Sequence, residues 1–219
     1  SGNDLLFGNA GADILYALSD GADTLYGGAG NDTLFAGSGS DLLFGNDGDD
    51  SLDANTLGNQ ASMTLDGGAG NDSITGDLGA DVITGGSGAD VVVGNAGNDI
   101  AYGGDGADSI TGSAGADTLY GDAQNDLITG GAGTDLVYGG SADDILYGDN
   151  AGTGSSNTAN IVYGGDGNDT LYAGGTASDF LYGDAGADRF GFNAVTTISF
   201  ASVSSHLVYG YTKGSDNIV

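Results

Sequence analysis

The side chains able to do chemistry in this sequence are almost all carboxylates, and they arrive on a beat of nine residues. The beat is clearest at residues 27–35, GGAGNDTLF, where Asp32 holds the sixth position. Aligning the chain on an Asp followed by x-apolar-x gives twenty units, and eighteen carry Asp at that position. In the odd-numbered units these are Asp4, Asp23, Asp41, Asp81, Asp99, Asp117, Asp135 and Asp179. In the even-numbered units they are Asp13, Asp32, Asp50, Asp72, Asp90, Asp108, Asp126, Asp144, Asp169 and Asp188. The position fails only at Met63 and Asn160. One such Asp is as readily a turn cap as a ligand, but eighteen in register argue for a shared task. Paired carboxylates also run glycoside hydrolysis, yet here each is already claimed by the repeat.

The charge says what that task is. Thirty-one acidic residues, all Asp, face two Lys and Arg and one His, for a net charge of −29. Without counter-charges a compact chain of this kind repels itself, so a cation is missing from the sequence. Withheld that cation, an acidic chain is expected to be disordered. Nucleic acid is excluded as a partner, because two basic residues cannot neutralise a phosphate backbone. No apolar run approaches the roughly 18 residues of a transmembrane segment, and the opening residues do not read as a signal peptide. The opening SGND already lies inside a repeat, so the chain is expected to be an excerpt or a processed product. The absence of Cys decides little. No nucleophile elbow with a usable His is present, the lone His206 reads as a surface or cap residue, and Arg189 and Lys213 are too isolated to clamp a substrate. The chain is therefore expected not to be an enzyme.

A nine-residue period dictates the elements that hold these carboxylates. The second residue after each sixth position is apolar in all twenty units, from Leu6, Leu15 and Leu25 to Leu181 and Phe190. Three residues around it, such as Thr33, Leu34 and Phe35, predict a very short strand with its middle side chain pointing inward. The six residues before are rich in Gly, Asn and Asp, which tolerate positive φ. Strands this short bury nothing alone, but stacked about 4.8 Å apart they form a parallel sheet. Two such sheets face to face would enclose the Leu, Ile and Val ladder. The 46 Gly and the absence of Pro fit, since Pro would delete a ladder hydrogen bond at nearly any site.

The phrase G-G-x-G-x-D-x-U-x resembles the nonapeptide of the RTX (repeats-in-toxin) calcium-binding proteins, over about residues 1–191. The resemblance implies an all-β fold, a right-handed parallel β-roll (a β-helix solenoid) of about ten 18-residue turns with two units per turn. It implies Ca²⁺ between consecutive loops of an edge, held by the sixth-position carboxylates and by backbone carbonyls. Calcium takes six to eight hard oxygens in tolerant geometry, which short Asp side chains and inward-turned Gly carbonyls supply. The segment DRFGF at residues 188–192, followed by a Thr/Ser/Val-rich stretch to TKGSDNIV, resembles the cap after such repeats. Residues 1–191 are thus expected to form the roll and 192–219 a C-terminal cap segment. The family leaves the cell by type I secretion, so an extracellular or cell-surface location is implied.

With two units per turn, odd and even units form opposite edges. All even units are nine residues long and keep their Asp, whereas the odd edge holds both lost Asp residues and every length change, at residues 17–26, 54–66, 148–163 and 173–182. Neighbouring Asp pairs number nine on the even edge and five on the odd, about 14 calcium sites, whose +28 would nearly cancel −29. Asp20, Asp47, Asp105, Asp122 and Asp166 lie elsewhere in the loops and are expected to face water. Outward aromatic residues favour the odd sheet, at Phe7, Tyr26, Phe44, Tyr102, Tyr120, Tyr138, Tyr163 and Tyr182, over the even, at Tyr16, Phe35, Tyr147 and Tyr172. That ladder is either cross-strand support or, with Leu5, Leu42, Val82, Ile100, Leu136, Ile161 and Phe180 beside it, a surface for self-association. Two roles compete: the structural body of a surface assembly such as an S-layer or filament, and the secretion and folding module of a larger enzyme, toxin or adhesin.

Overall fold

The computed structural model describes residues 2–17, 20–54, 60–150, 158–175 and 177–191, together with the backbone of Ser199–Phe200 and Leu207–Tyr209. Among the described residues each unit supplies one strand, and consecutive strands alternate between two sheets of eleven parallel strands. Among the described residues there is no helix, and so none that is long and apolar enough to cross a membrane.

The register follows the apolar ladder. In the odd sheet Leu6 pairs with Leu25, Leu25 with Leu43, and so on through Val162 with Leu181. The even sheet runs from Leu15 beside Leu34 to Leu171 beside Phe190. All of these ladder residues but Leu6 are buried, and they form one continuous core between the sheets. Parallel sheets are favoured when both partners bury such a face. The turn-on-turn stack is what lets a single inward residue per strand suffice. The two short strands Ser199–Phe200 and Leu207–Tyr209 extend each sheet by one more turn. The rest of the expected cap segment, with His206 and Lys213, lies outside the described residues.

Strand length departs from the three-residue expectation. Every odd-sheet strand from Leu5–Ala10 to Phe180–Ala185 has six residues. The pairing continues past the ladder residue and its glycine into the loop, as where Asn9 lies beside Gly28 and Ala10 beside Ala29. A left-handed residue makes the bend without breaking the stack: Asn9, Asn46 and Asp122 have φ of 77°, 76° and 73° there. The extension is fullest where neighbouring loops have equal length. In the even sheet, Val91–Ala96, Ser109–Ala114 and Leu127–Ala132 reach six residues, whereas Ile14–Tyr16, Ser51–Asp53 and Thr170–Tyr172, each followed by a lengthened loop, stop at three.

The outward rings stack turn upon turn. Tyr102, Tyr120, Tyr138, Tyr163 and Tyr182 form a run with centroids 4.6 to 5.0 Å apart, and Phe7, Tyr26 and Phe44 form another. Asp66 and Thr84 separate the two. Exposed apolar side chains are shared more evenly than the aromatic residues suggest: Ile14, Val91, Leu127 and Ile145 on the even sheet match Leu5, Leu42, Val82 and Ile100 on the odd.

Candidate metal centres

Each sixth-position aspartate sits where a strand begins, and the two oxygens of its carboxylate have different surroundings. Oδ1 is structural. It accepts the backbone N–H of the equivalent residue one turn earlier, so Asp90 donates to Asp108, Asp108 to Asp126 and Asp126 to Asp144, each at 2.8 Å. On the even edge this chain of bonds is unbroken from Asp13 to Asp188, with lengths of 2.7 to 3.0 Å. The backbone carbonyl of each such Asp accepts in turn from the strand above, as Leu127 N–H to Asp108 at 2.8 Å.

Oδ2 has no such partner. In Asp32, Asp72, Asp108 and Asp144 of the even edge, and in Asp99, Asp117 and Asp135 of the odd, it is out of contact with solvent and accepts no hydrogen bond. A buried anionic oxygen left in this way is costly. It is tolerable only if something other than hydrogen bonding answers it. The glycine just past the preceding ladder residue shows where that something stands. A Cβ on Gly27 would lie 2.5 Å from Asp32 Oδ2 and 2.8 Å from the carbonyl oxygen of Gly45 on the next turn. On the odd edge Gly94 sees Asp99 Oδ2 at 2.5 Å and the Gly112 carbonyl at 2.9 Å. Carboxylate and carbonyl oxygens from adjacent turns thus converge on space that only glycine leaves open, a hard-oxygen donor set suited to Ca²⁺. Among the described residues no three acidic or imidazole side chains gather at one point, so backbone carbonyls must supply most of the ligands.

The electrostatics state the same need. Burial pushes Asp72, Asp81, Asp126, Asp144 and Asp179 up to about 7, and Asp90, Asp99, Asp117, Asp135 and Asp169 up to about 6. The hydrogen bond at Oδ1 pulls these values back, and the charges of nearby carboxylates raise them further. Without a cation these ten carboxylates resist ionising.

The odd edge breaks where expected, and the breaks show which function is dispensable. Asn160 keeps the ladder, its Oδ1 accepting from Asp135 N–H at 2.8 Å. Met63 offers only its sulfur, 3.2 Å from Asp41 N–H. Neither provides the second carboxylate oxygen. A further departure lies in the glycine position, which is alanine at Ala17, Ala36, Ala54 and Ala173. These methyls are buried with the core, and the cradle leading to Asp23, Asp41, Met63 and Asp179 is to that extent filled.

Asp20, Asp47, Asp105, Asp122 and Asp166 are exposed, as expected. Arg189 is also exposed. Two loop aspartates were missed: Asp77 and Asp149 are fully buried, at 0% and 2% exposure. Their signal in the sequence is their place, since each lies in an odd-edge loop next to a lost sixth-position Asp.

A family model described as the RTX calcium-binding nonapeptide repeat (4 copies) matches residues 1–20, 18–52, 64–92, 93–128, 120–151 and 172–193. A search of curated proteins finds no match.

Proposed function

The chain belongs to the RTX calcium-binding nonapeptide repeat family, and from that premise we propose that it is a non-enzymatic, calcium-folded roll that works outside the cell as a structural body. Such repeats are typical of secreted proteins. The observation that carries the reading is the even-edge row of buried Oδ2 atoms, from Asp13 to Asp169, that accept no hydrogen bond and face a glycine cradle.

The sixth-position aspartates are the carboxylate ligands in this reading. Bound Ca²⁺ supplies positive charge and a coordination shell between adjacent turns. Oδ1 holds the loops in register, Oδ2 points into the gap, and the glycine carbonyls of the next turn complete the donor set. Counting turns with both Asp and an open cradle gives nine sites on the even edge and three on the odd, between Asp81 and Asp135. The odd-edge pairs at Asp4, Asp23 and Asp41 have Ala17 and Ala36 in the way. The number of strong sites is therefore nearer twelve than fourteen.

Extracellular calcium modules bind at about 10⁻⁴ to 10⁻³ M, so the chain stays unfolded at cytosolic calcium and folds after export. Metal binding then supplies the folding free energy. Residues 1–191 are the roll and 192–219 its cap. Assembly into a layer or filament is supported by the outer faces, which leave apolar side chains such as Leu5, Phe7, Ile14 and Val91 exposed along a soluble roll. Circular dichroism in a calcium titration tests the reading. The expected outcome is an unfolded spectrum in chelator at neutral pH and a β spectrum appearing between about 0.1 and a few mM calcium. A cooperative thermal transition in excess chelator at that pH would overturn it.

A further inference from the structure

Asp77 does not fit the repeat, and its surroundings say why it is there. In most turns the third residue past the ladder position takes left-handed φ and lies at the surface or part-buried, as Asn95 (75°), Ser113 (84°) and Asp122 (73°) do. Asp77 and Asp149 occupy this same position, do not take that conformation, and are buried. Asp77 Oδ1 accepts from Gly79 N–H at 2.5 Å, while its own N–H donates to Asp81 Oδ2 at 2.8 Å. The Asp81 oxygen that faces the Gly76 cradle thus also accepts from Asp77. Asp77 Oδ2 has no hydrogen bond and no solvent contact.

The surroundings place that oxygen at the break. Asp77 adds its charge to Asp41, Asp81 and Asp99, the odd-edge carboxylates on either side of Met63. A side chain selected only for the turn would not need to bury a second anionic oxygen among three like charges. We propose that Asp77 is a substitute calcium ligand, supplying from a neighbouring loop position the carboxylate oxygen that Met63 removes from the register. Asp149 holds the same place in its unit at the other break and is also buried. The Nδ2 of Asn160 donates to Asp149 Oδ1 at 3.3 Å, and the Asp149 charge reaches Asp135 and Asp179 on the flanking turns. Both lost register positions are thus accompanied by a buried aspartate at one and the same off-register position.

The inference rests on the reading that the sixth-position aspartates hold calcium, and the test separates the two. Bound calcium is counted by equilibrium dialysis at saturation, with circular dichroism alongside, for the wild-type chain, Asp77→Asn, and Asp77→Asn combined with Met63→Asp. Asn at position 77 can still accept from Gly79, so the turn is kept. Asp77→Asn should bind one calcium fewer while retaining the β spectrum at saturation, and Met63→Asp should restore the count. An unchanged count and midpoint in Asp77→Asn overturns the proposal, as does a double variant that fails to regain the ion. If Asp77→Asn does not fold at saturating calcium, recovery of fold and count in the double variant supports the proposal, and continued failure overturns it. A wild-type chain that binds no calcium would instead remove the parent reading.

Discussion

The two edges of the roll are built from the same nonapeptide, yet they are held to different standards. On the even edge ten aspartates follow one another without a gap, each loop has one length, and each cradle is glycine from Gly8 to Gly183. The odd edge accepts insertions, four alanines at the cradle, a methionine and an asparagine. The core makes no such distinction, since Leu52 and Leu146, which precede the longest insertions, are as buried as Leu119. Packing of the ladder therefore does not require the loops to be uniform. One unbroken row of inter-turn carboxylate bonds suffices to set the stacking, and the other edge is released to vary.

The largest expected effect is blind to edge. A carboxylate whose folded-state pKa is raised stabilises the metal-free fold when protonated. That stability is complete below about 3.8, the ordinary value, and is lost as pH rises through about 6 to 7. In chelator, circular dichroism should show β structure near pH 4 that disappears by pH 8. In calcium, protons compete for the same oxygens, and the calcium midpoint should fall between pH 6 and 8. A chelated chain equally unfolded at both pH values would mean that charge is not what calcium neutralises.

The next effect is specific to edge. Asp108→Ala removes the acceptor of Asp90 N–H and one free oxygen from the middle of the even row, leaving a buried donor unsatisfied at a cost of about 1 to 3 kcal/mol. Asp179→Ala removes the acceptor of Asn160 N–H, but at a place where the cradle is already Ala173 and the neighbour already Asn160. The calcium midpoint should rise several-fold for the first and by less than twofold for the second. Equal midpoints would erase the distinction between the edges.

The smallest effect on folding concerns the sheets. Replacing Tyr102, Tyr120 and Tyr138 together by Thr, the residue the even sheet uses at Thr75, Thr111 and Thr129, removes stacking worth about 0.2 to 1 kcal/mol per pair. The calcium-induced β signal should persist, and sedimentation should show weaker calcium-dependent self-association. Loss of folding with association unchanged would make the ladder architectural.

Much of this was legible in the sequence because a solenoid repeats its reasons. The ladder residues, the pairing of every second unit and the division into a regular and an irregular edge all follow from counting nine, and each appears in the pairing of Leu6 with Leu25 or Leu15 with Leu34. What counting missed lies in departures from the average. The six-residue strands depend on a glycine and a left-handed residue stacking in step with an equal-length neighbour, a relation between turns and not a property of one unit. Ala36 in place of glycine is a single methyl, visible in the sequence but without meaning until the Oδ2 beside its glycine counterparts was seen to lack a partner. Asp77 looked like the exposed Asp122, which holds the same place in its unit, and only its rejection of the left-handed bend separates them.

The reach of the carboxylate bonds has a kinetic consequence. Every one of these inter-turn links spans 18 to 25 residues and no more. Each turn thus depends only on the turns it touches, and order spreads along the roll as in a one-dimensional lattice. Loop-closure entropy grows slowly with length, and the long closure between Asp135 and Asn160 costs little more than its neighbours. The weak couplings are the two turns that surrender a carboxylate. Zipping started in the uniform stretch between Asp81 and Asp135 should run freely and pause at Met63 on one side and Asn160 on the other, so that the roll assembles as a central block with two later additions.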